Sequence, residues 1–277
     1  MAQKSRVKVG AVSYLNTKPL IYPLLTDPAF PGSEEIDLSL AVPSLLADQL
    51  KAGEIDIGLI PIIAYFRACA PPDACQYRII PDIAIASRGA VRSIQLLSHV
   101  PISDIRSVAL DTSSRTSQAL VRIILGERYG ITPEFTACPP TIDPRNITTD
   151  AVLLIGDAAL RQLGATPYAL DLGEEWQELT GLPFVYACWV TRADVDLQHV
   201  PQTLRRAKEI GVRNIPEIAH LEAERLGFTE ALCIDYLTNR ICFDLGDAEI
   251  AGLLKYYELA VKYDLAKPGV ALRFVGV

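Results

Sequence analysis

The stretch Val108-Ala-Leu-Asp-Thr-Ser-Ser-Arg-Thr-Ser-Gln-Ala-Leu-Val121 runs from an apolar segment through a hydroxyl-rich loop into a helical pattern. Val108 to Leu110 read as the end of a short buried strand, and Leu120, Ile123 and Ile124 recur at helical spacing beyond the loop. Strand, tight polar loop and helix in that order form the repeating unit of an α/β fold. The unit recurs outward in both directions. Strands are expected at 7–12, 38–42, 55–60, 79–86, 93–98, 108–111, 151–155 and 184–191. Most are rich in Val, Ile and Leu and apolar on both faces, which suits a buried parallel sheet. Helices are expected to begin near Asn16, Pro43, Ser114, Gly156, Pro201, Pro216, Thr229 and Asp247.

Two of these helices can be argued closely. Residues 43–52 open on Pro43, favoured in a first turn, and Gly53 follows the last residue as a stop. Near the end of the chain Ile250, Leu253, Leu254, Tyr257 and Val261 fall on one expected helical face. Residues 1–90 and 91–190 each read as an α/β unit, whereas 201–265 is almost wholly helical and must pack on a sheet formed elsewhere. The segments 87–93 and 187–192 are the natural crossings. The expectation is two α/β lobes joined by two crossing strands, 1–90 plus 191–277 forming one and 91–190 the other. A ligand cleft belongs between them, since small-molecule sites favour domain interfaces.

Composition narrows the function. Half of the 277 residues are hydrophobic, which excludes an intrinsically disordered chain. The formal net charge of −7 argues against a nucleic-acid partner, yet a local pocket can still receive a small anion. No apolar run approaches the roughly 20 residues of a membrane helix. The first ten residues pass from charged positions straight into a strand without a secretory h-region, so a cytoplasmic location is expected. The cysteines at 69, 75, 138, 188, 233 and 242 are scattered, with no CxxC, and read as reduced filler. His99, His199 and His220 are far apart, and no phosphate loop, dinucleotide fingerprint or nucleophile elbow occurs. No cofactor and no metal are expected.

Four segments carry candidate chemistry. Ser113, Ser114, Thr116 and Ser117 crowd the start of a helix, where free N–H groups and the macrodipole favour an anion. One serine would suffice to cap the helix; four hydroxyls in five positions suit closure around a carboxylate. Ser13, Tyr14 and Asn16 sit where the first strand passes into a helix, at the carboxyl end of the sheet. Asn16 reads either as that helix's N-cap or as an uncharged donor and acceptor for a ligand. Ser87 and Ser93 flank Gly89 at the first crossing. Gly156 permits close approach to a ligand, and Asp157 beside it reads foremost as a helix cap.

Taken together, Ser13-Tyr-Leu-Asn-Thr-Lys-Pro-Leu20, Leu50-Lys-Ala-Gly-Glu-Ile-Asp-Ile-Gly-Leu-Ile-Pro61, the Ser87 segment, Leu110-Asp-Thr-Ser-Ser-Arg-Thr-Ser117 and Ile155-Gly-Asp157 resemble the chorismate dehydratase family of the futalosine route to menaquinone. The resemblance spans essentially the whole chain. It implies a type II periplasmic-binding-protein fold and a cofactor-free hydro-lyase that converts chorismate into 3-[(1-carboxyvinyl)oxy]benzoate and water. It further implies that Asn16 and Ser87 orient the reacting groups and that Ser114, Thr116 and Ser117 grip a carboxylate, the substrate's own enolpyruvyl carboxylate serving as base.

Three other readings share the fold. A non-catalytic carboxylate-binding protein would be expected to carry an export signal. A regulator's effector domain would be expected to follow a DNA-binding element, and the first strand here begins by about residue 7. The later, naphthoate-forming enzyme of the same route opens on a different, proline-rich motif and uses a histidine.

Overall fold

The computed structural model describes residues 6–70 and 75–276. Two five-stranded sheets organise the chain. The first contains β1 (Val7–Val12), β2 (Ile36–Ala41), β3 (Ile57–Pro61), β4 (Tyr77–Ser87) and β10 (Phe184–Arg192), in the order β2-β1-β3-β10-β4. The second contains β5 (Ile94–Ser98), β6 (Ser107–Asp111), β7 (Glu134–Cys138), β8 (Ala151–Ile155) and β9 (Tyr168–Asp171), in the order β7-β6-β8-β5-β9. Central β3 and β8 are buried at every residue, while edge strands β2 and β7 expose about alternate positions. That gradient is what a helix-covered sheet imposes on its sequence.

The sheets are mixed rather than purely parallel. β10 runs antiparallel to β3 and β4, and β5 antiparallel to β8 and β9. β10 pairs within the first sheet from Phe184 onward, so the second passage between the lobes precedes this strand instead of falling at 187–192. Buried strands read alike whichever way they run, and their direction is set by the crossings.

Around the sheets lie α1 (Lys18–Thr26), α2 (Pro43–Ala52), α3 (Ile62–Ala68), α4 (Arg115–Tyr129), α5 (Gly156–Arg161), α6 (Leu172–Thr180), α7 (Val200–Arg213), α8 (Ile215–Leu226), α9 (Glu230–Asp235) and α10 (Asp247–Lys262). α7 packs on α1 so closely that a Cβ on Gly211 would stand 1.9 Å from the Pro19 carbonyl oxygen. The helical tail touches both lobes. α10 lies against β10 and α4, and the Tyr256 hydroxyl donates to the Thr116 carbonyl at 3.1 Å. This placement turns α10 from the expected face: Leu253, Tyr256, Leu259 and Ala260 are buried, while Leu254 is 49% exposed. Two apolar stripes overlap on this helix, and contact with both lobes selects one.

The sequence expectation for cysteine also needs correction. Cys69, at the end of α3, and Cys75, just before β4, form a disulfide; Cys138, Cys188 and Cys233 are buried free thiols, and Cys242 is half-buried. The two Cα atoms stand 4.0 Å apart. Among the described residues no helix is long and apolar enough to cross a membrane.

Candidate functional site

A cavity of about 50 Å³ lies between the sheets, lined by residues of both. From the first lobe come Val12, Tyr14, Asn16, Pro43, Pro61, Ile85, Tyr186, Ala187 and Ile241; from the second come Ser93, Ser114, Thr116, Ser117, Ile155 and Gly156, among others. No Lys, Arg, His, Asp or Glu is in this lining, so its polarity comes from hydroxyls, one amide and backbone dipoles.

The first wall is the corner after β1. Ser13 N–H donates to the Ala41 carbonyl at 3.1 Å, and the chain then tightens into a 3₁₀ turn, Leu15–Thr17, before α1. Asn16 caps neither helix: the turn is preceded by Tyr14, α1 by Thr17, and neither of those caps makes a side-chain bond. Its amide is instead part of the cavity wall, and the Tyr236 hydroxyl interacts with it there. Tyr14 reaches across the cleft. Its hydroxyl donates to Ser113 Oγ at 3.1 Å, and burial pushes the phenol up to about 12.

Tyr14 also explains Gly156. The glycine has φ +61°, and a Cβ there would stand 2.8 Å from the Tyr14 ring, so both backbone conformation and ring contact demand glycine. Asp157 does not cap α5, whose N-cap is Ile155 without a side-chain bond. Asp157 Oδ1 accepts from the Leu15 N–H at 3.0 Å, tying the lobes together. Burial raises its carboxyl pKa, against the pull of that hydrogen bond and of Arg225 and Arg161.

The second wall is the start of α4. Ser114 is the N-cap: its Oγ accepts from Ser117 N–H at 3.2 Å and donates to Ser117 Oγ at 2.9 Å. Thr116 Oγ1 donates to the Tyr186 carbonyl at 3.1 Å. Ser113 donates twice to Asp111 Oδ1, from N–H at 2.8 Å and from Oγ at 2.5 Å. Asp111 is fully buried, and its Oδ2 has no hydrogen-bond partner among the described residues. Burial pushes this carboxyl up, and the Ser113 bonds offset only part of that. What the loop offers a ligand is therefore the N–H dipoles of the first turn and the Ser117 hydroxyl hydrogen.

The structure thus brings Tyr14, Asn16, Ser114, Thr116, Ser117 and Gly156 to one cavity. Ser13, Ser87, Ser113 and Asp157 stand outside the lining. Ser113 holds Tyr14, Asp157 holds Leu15, and Ser87 Oγ lies 2.9 Å from the Tyr186 hydroxyl. Sequence reasoning missed Tyr186, Tyr236 and Asp111. Tyr186 is the one hydroxyl in the otherwise apolar run Phe184–Val190, a usable signal because a buried Tyr needs a partner. Tyr236, whose hydroxyl donates to Ser93 Oγ at 2.8 Å, comes from the helical tail, and no local pattern announces that return.

A larger groove of about 850 Å³ lies on the other side of Ile241. Three of its four lining cations are paired, Lys208 with Asp244, Arg88 with Glu249 and Arg240 with Asp235, and Arg213 is the fourth. Chemically convergent groups are found in the smaller, inter-lobe cavity. Among the described residues no group of three or more His, Cys, Asp or Glu is placed to hold a metal ion.

Two mixed α/β lobes closing on a cavity of neutral donors define a protein of the periplasmic-binding-protein-like fold. Solved structures agree: protein AF1704 from Archaeoglobus fulgidus aligns with TM-score 0.76 at 18% identity over 95% of this chain and 99% of that one. The aliphatic sulphonate binding protein SsuA from Escherichia coli aligns with TM-score 0.67 at 16% identity over 97% and 90%. Residues 7–262 match the profile of a family described as menaquinone biosynthesis, and the chain belongs to that family. It is 30% identical over 268 residues to a chorismate dehydratase from Thermus thermophilus, covering 90% of this chain and 93% of that protein.

Proposed function

We propose that this protein is a chorismate dehydratase, eliminating water from chorismate to give 3-[(1-carboxyvinyl)oxy]benzoate. The observation that carries the reading is the inter-lobe cavity itself, with an amide from one lobe facing the N-terminus of α4 from the other and no charged side chain in its lining. Chorismate carries one carboxylate on its ring and a second on its enolpyruvyl ether side chain, which matches two donor sets facing each other. Removing a ring proton and the neighbouring hydroxyl produces an aromatic ring, so the product is strongly favoured and the barrier lies in charge developing toward the ring carboxylate. Fixed dipoles stabilise such charge without reorganising.

In this reading Asn16 and Ser87 orient the reacting groups, and the first-turn N–H groups of α4 with the Ser117 hydroxyl grip a carboxylate, Ser114 and Thr116 holding that corner in place. Ser13, Tyr14, Ser113, Gly156 and Asp157 shape and close the site. A cavity wall without Asp, Glu, His or Lys leaves the base to the substrate's own enolpyruvyl carboxylate. Small-molecule pockets usually measure about 300 Å³ or more, so admission of chorismate requires the lobes to part beyond the 50 Å³ seen here. The moving units are the two sheets with their helices, divided near 90 and just before β10. The division 1–90 plus 191–277 against 91–190 shifts accordingly at its second boundary.

The biosynthetic relative favours a cytoplasmic site of action, whereas the Cys69–Cys75 disulfide is of a kind that persists in oxidising compartments. Cell fractionation decides between them. Mixing the metal-free protein with chorismate and following products by chromatography and mass tests the activity. Loss of one water with formation of the aromatic enolpyruvyl ether is expected. Chorismate that binds but stays intact would make this a carboxylate-binding protein instead.

A further inference from the structure

Strand β10 carries an extra residue opposite β4: Val185 pairs with Ala86 and Ala187 with Ile85, leaving Tyr186 bulged out of that ladder. A bulge re-aims a side chain and frees backbone groups, and it recurs next to active sites. Both consequences are present. The Tyr186 hydroxyl lies 2.9 Å from Ser87 Oγ, and the Tyr186 carbonyl accepts from Thr116 Oγ1 of α4 at 3.1 Å. One residue thereby holds a hydroxyl on each side of the cleft while lining the cavity itself. Gly173 leaves room for the pair. A Cβ there would stand 2.8 Å from the Tyr186 hydroxyl and 2.9 Å from Ser87 Oγ.

Either hydroxyl can donate in the Tyr186–Ser87 bond, and the neighbours bear on which one does. Asp171 is the carboxylate whose charge bears on Tyr186, and its oxygens already accept from the N–H groups of Val91, Arg92, Gly173 and Glu174 and from Gln95 Nε2. It does not compete for the phenol hydrogen. We infer that Tyr186 is a positioning residue of the reaction, donating to Ser87 Oγ just behind the cavity lining so that, once the lobes part to admit substrate, the Ser87 hydroxyl hydrogen is held toward the oxygen that leaves. The inference rests on the dehydratase reading above and on the place of Ser87 in it. Through its carbonyl, Tyr186 also holds the α4 corner in register with Ser87.

Steady-state turnover of chorismate by Tyr186→Phe, Ser87→Ala and the double variant tests this. Tyr186→Phe is expected to lower kcat about tenfold with KM changed less than about twofold, the loss of one hydrogen bond to an acting group. In the Ser87→Ala background the same change should add nothing, because Tyr186 acts through Ser87. Wild-type kcat in Tyr186→Phe, or a loss that multiplies onto that of Ser87→Ala, would overturn the inference. If Tyr186→Phe does not fold, 3-fluorotyrosine at position 186 keeps the shape while strengthening the phenol as a donor. Its kcat should then differ from wild type only when Ser87 is present, and a difference that persists in Ser87→Ala would overturn it equally. Chorismate untouched by the wild-type protein would contradict the proposed function and this inference with it.

Discussion

Two strand-to-helix corners face each other across the cavity, and they spend their polar groups differently. At residues 111–117 nearly every hydroxyl is engaged within the protein: Ser113 by Asp111 and Tyr14, Ser114 as helix cap, Thr116 by Tyr186. At residues 13–17 the Asn16 amide stays out of both helix caps and forms part of the cavity wall. The richer sequence builds a stiff socket whose ligand-directed part is backbone dipole. The poorer one presents a side-chain amide to the cavity. An abundance of hydroxyls measures how firmly a corner is built rather than how many donors it offers.

Substitutions on the two sides should therefore differ in kind. Asn16→Ala, which removes a group that builds no helix, should lower kcat for chorismate about 100-fold or more with little change in melting temperature. Near-normal turnover would erase the distinction between the corners. Asp157→Ala removes the bond that ties Leu15 across the cleft, and KM should rise about tenfold as the closed arrangement loses support. An unchanged KM would show the tie to be idle. Ser114→Ala should cost about 1 kcal/mol of stability through the lost cap. That loss reads out as a melting temperature lower by about 2–4 °C, and a shift below 1 °C would mean that the cap is redundant.

The smallest effect is expected at Asp111. Burial raises its pKa in the folded state, so the folded protein binds more protons than the unfolded chain between the ordinary value of 3.8 and the raised one. Stability from this group is therefore present at low pH and falls as pH rises through that window. Asp111→Asn removes this titration, so its melting temperature relative to wild type should be more favourable at pH 7 than at pH 4. A difference independent of pH would show that Asp111 titrates normally.

Much of the fold was legible because buried strands and helix caps are local. The sequence placed β1, β8 and the starts of α2, α5 and α10 at the residues where they occur. β7 and β9 were missed because, as short strands at sheet edges, they show little apolar run, and α3 and α6 because each follows a strand without a break in the pattern. Six of the ten candidate site residues line the cavity, all from corners where a strand enters a helix. Tyr186 and Tyr236 escaped notice because a bulge and a returning helical tail are set by tertiary pairing.

The central claim is that both corners hold one ligand at once. Amide hydrogen exchange of the wild-type protein, with and without 3-[(1-carboxyvinyl)oxy]benzoate in large excess, tests it directly because the product cannot turn over. The account predicts slower exchange in peptides covering 13–18 and 112–118 together, with the 208–216 segment along the larger groove unchanged. Protection confined to one corner, or found only along that groove, would contradict it.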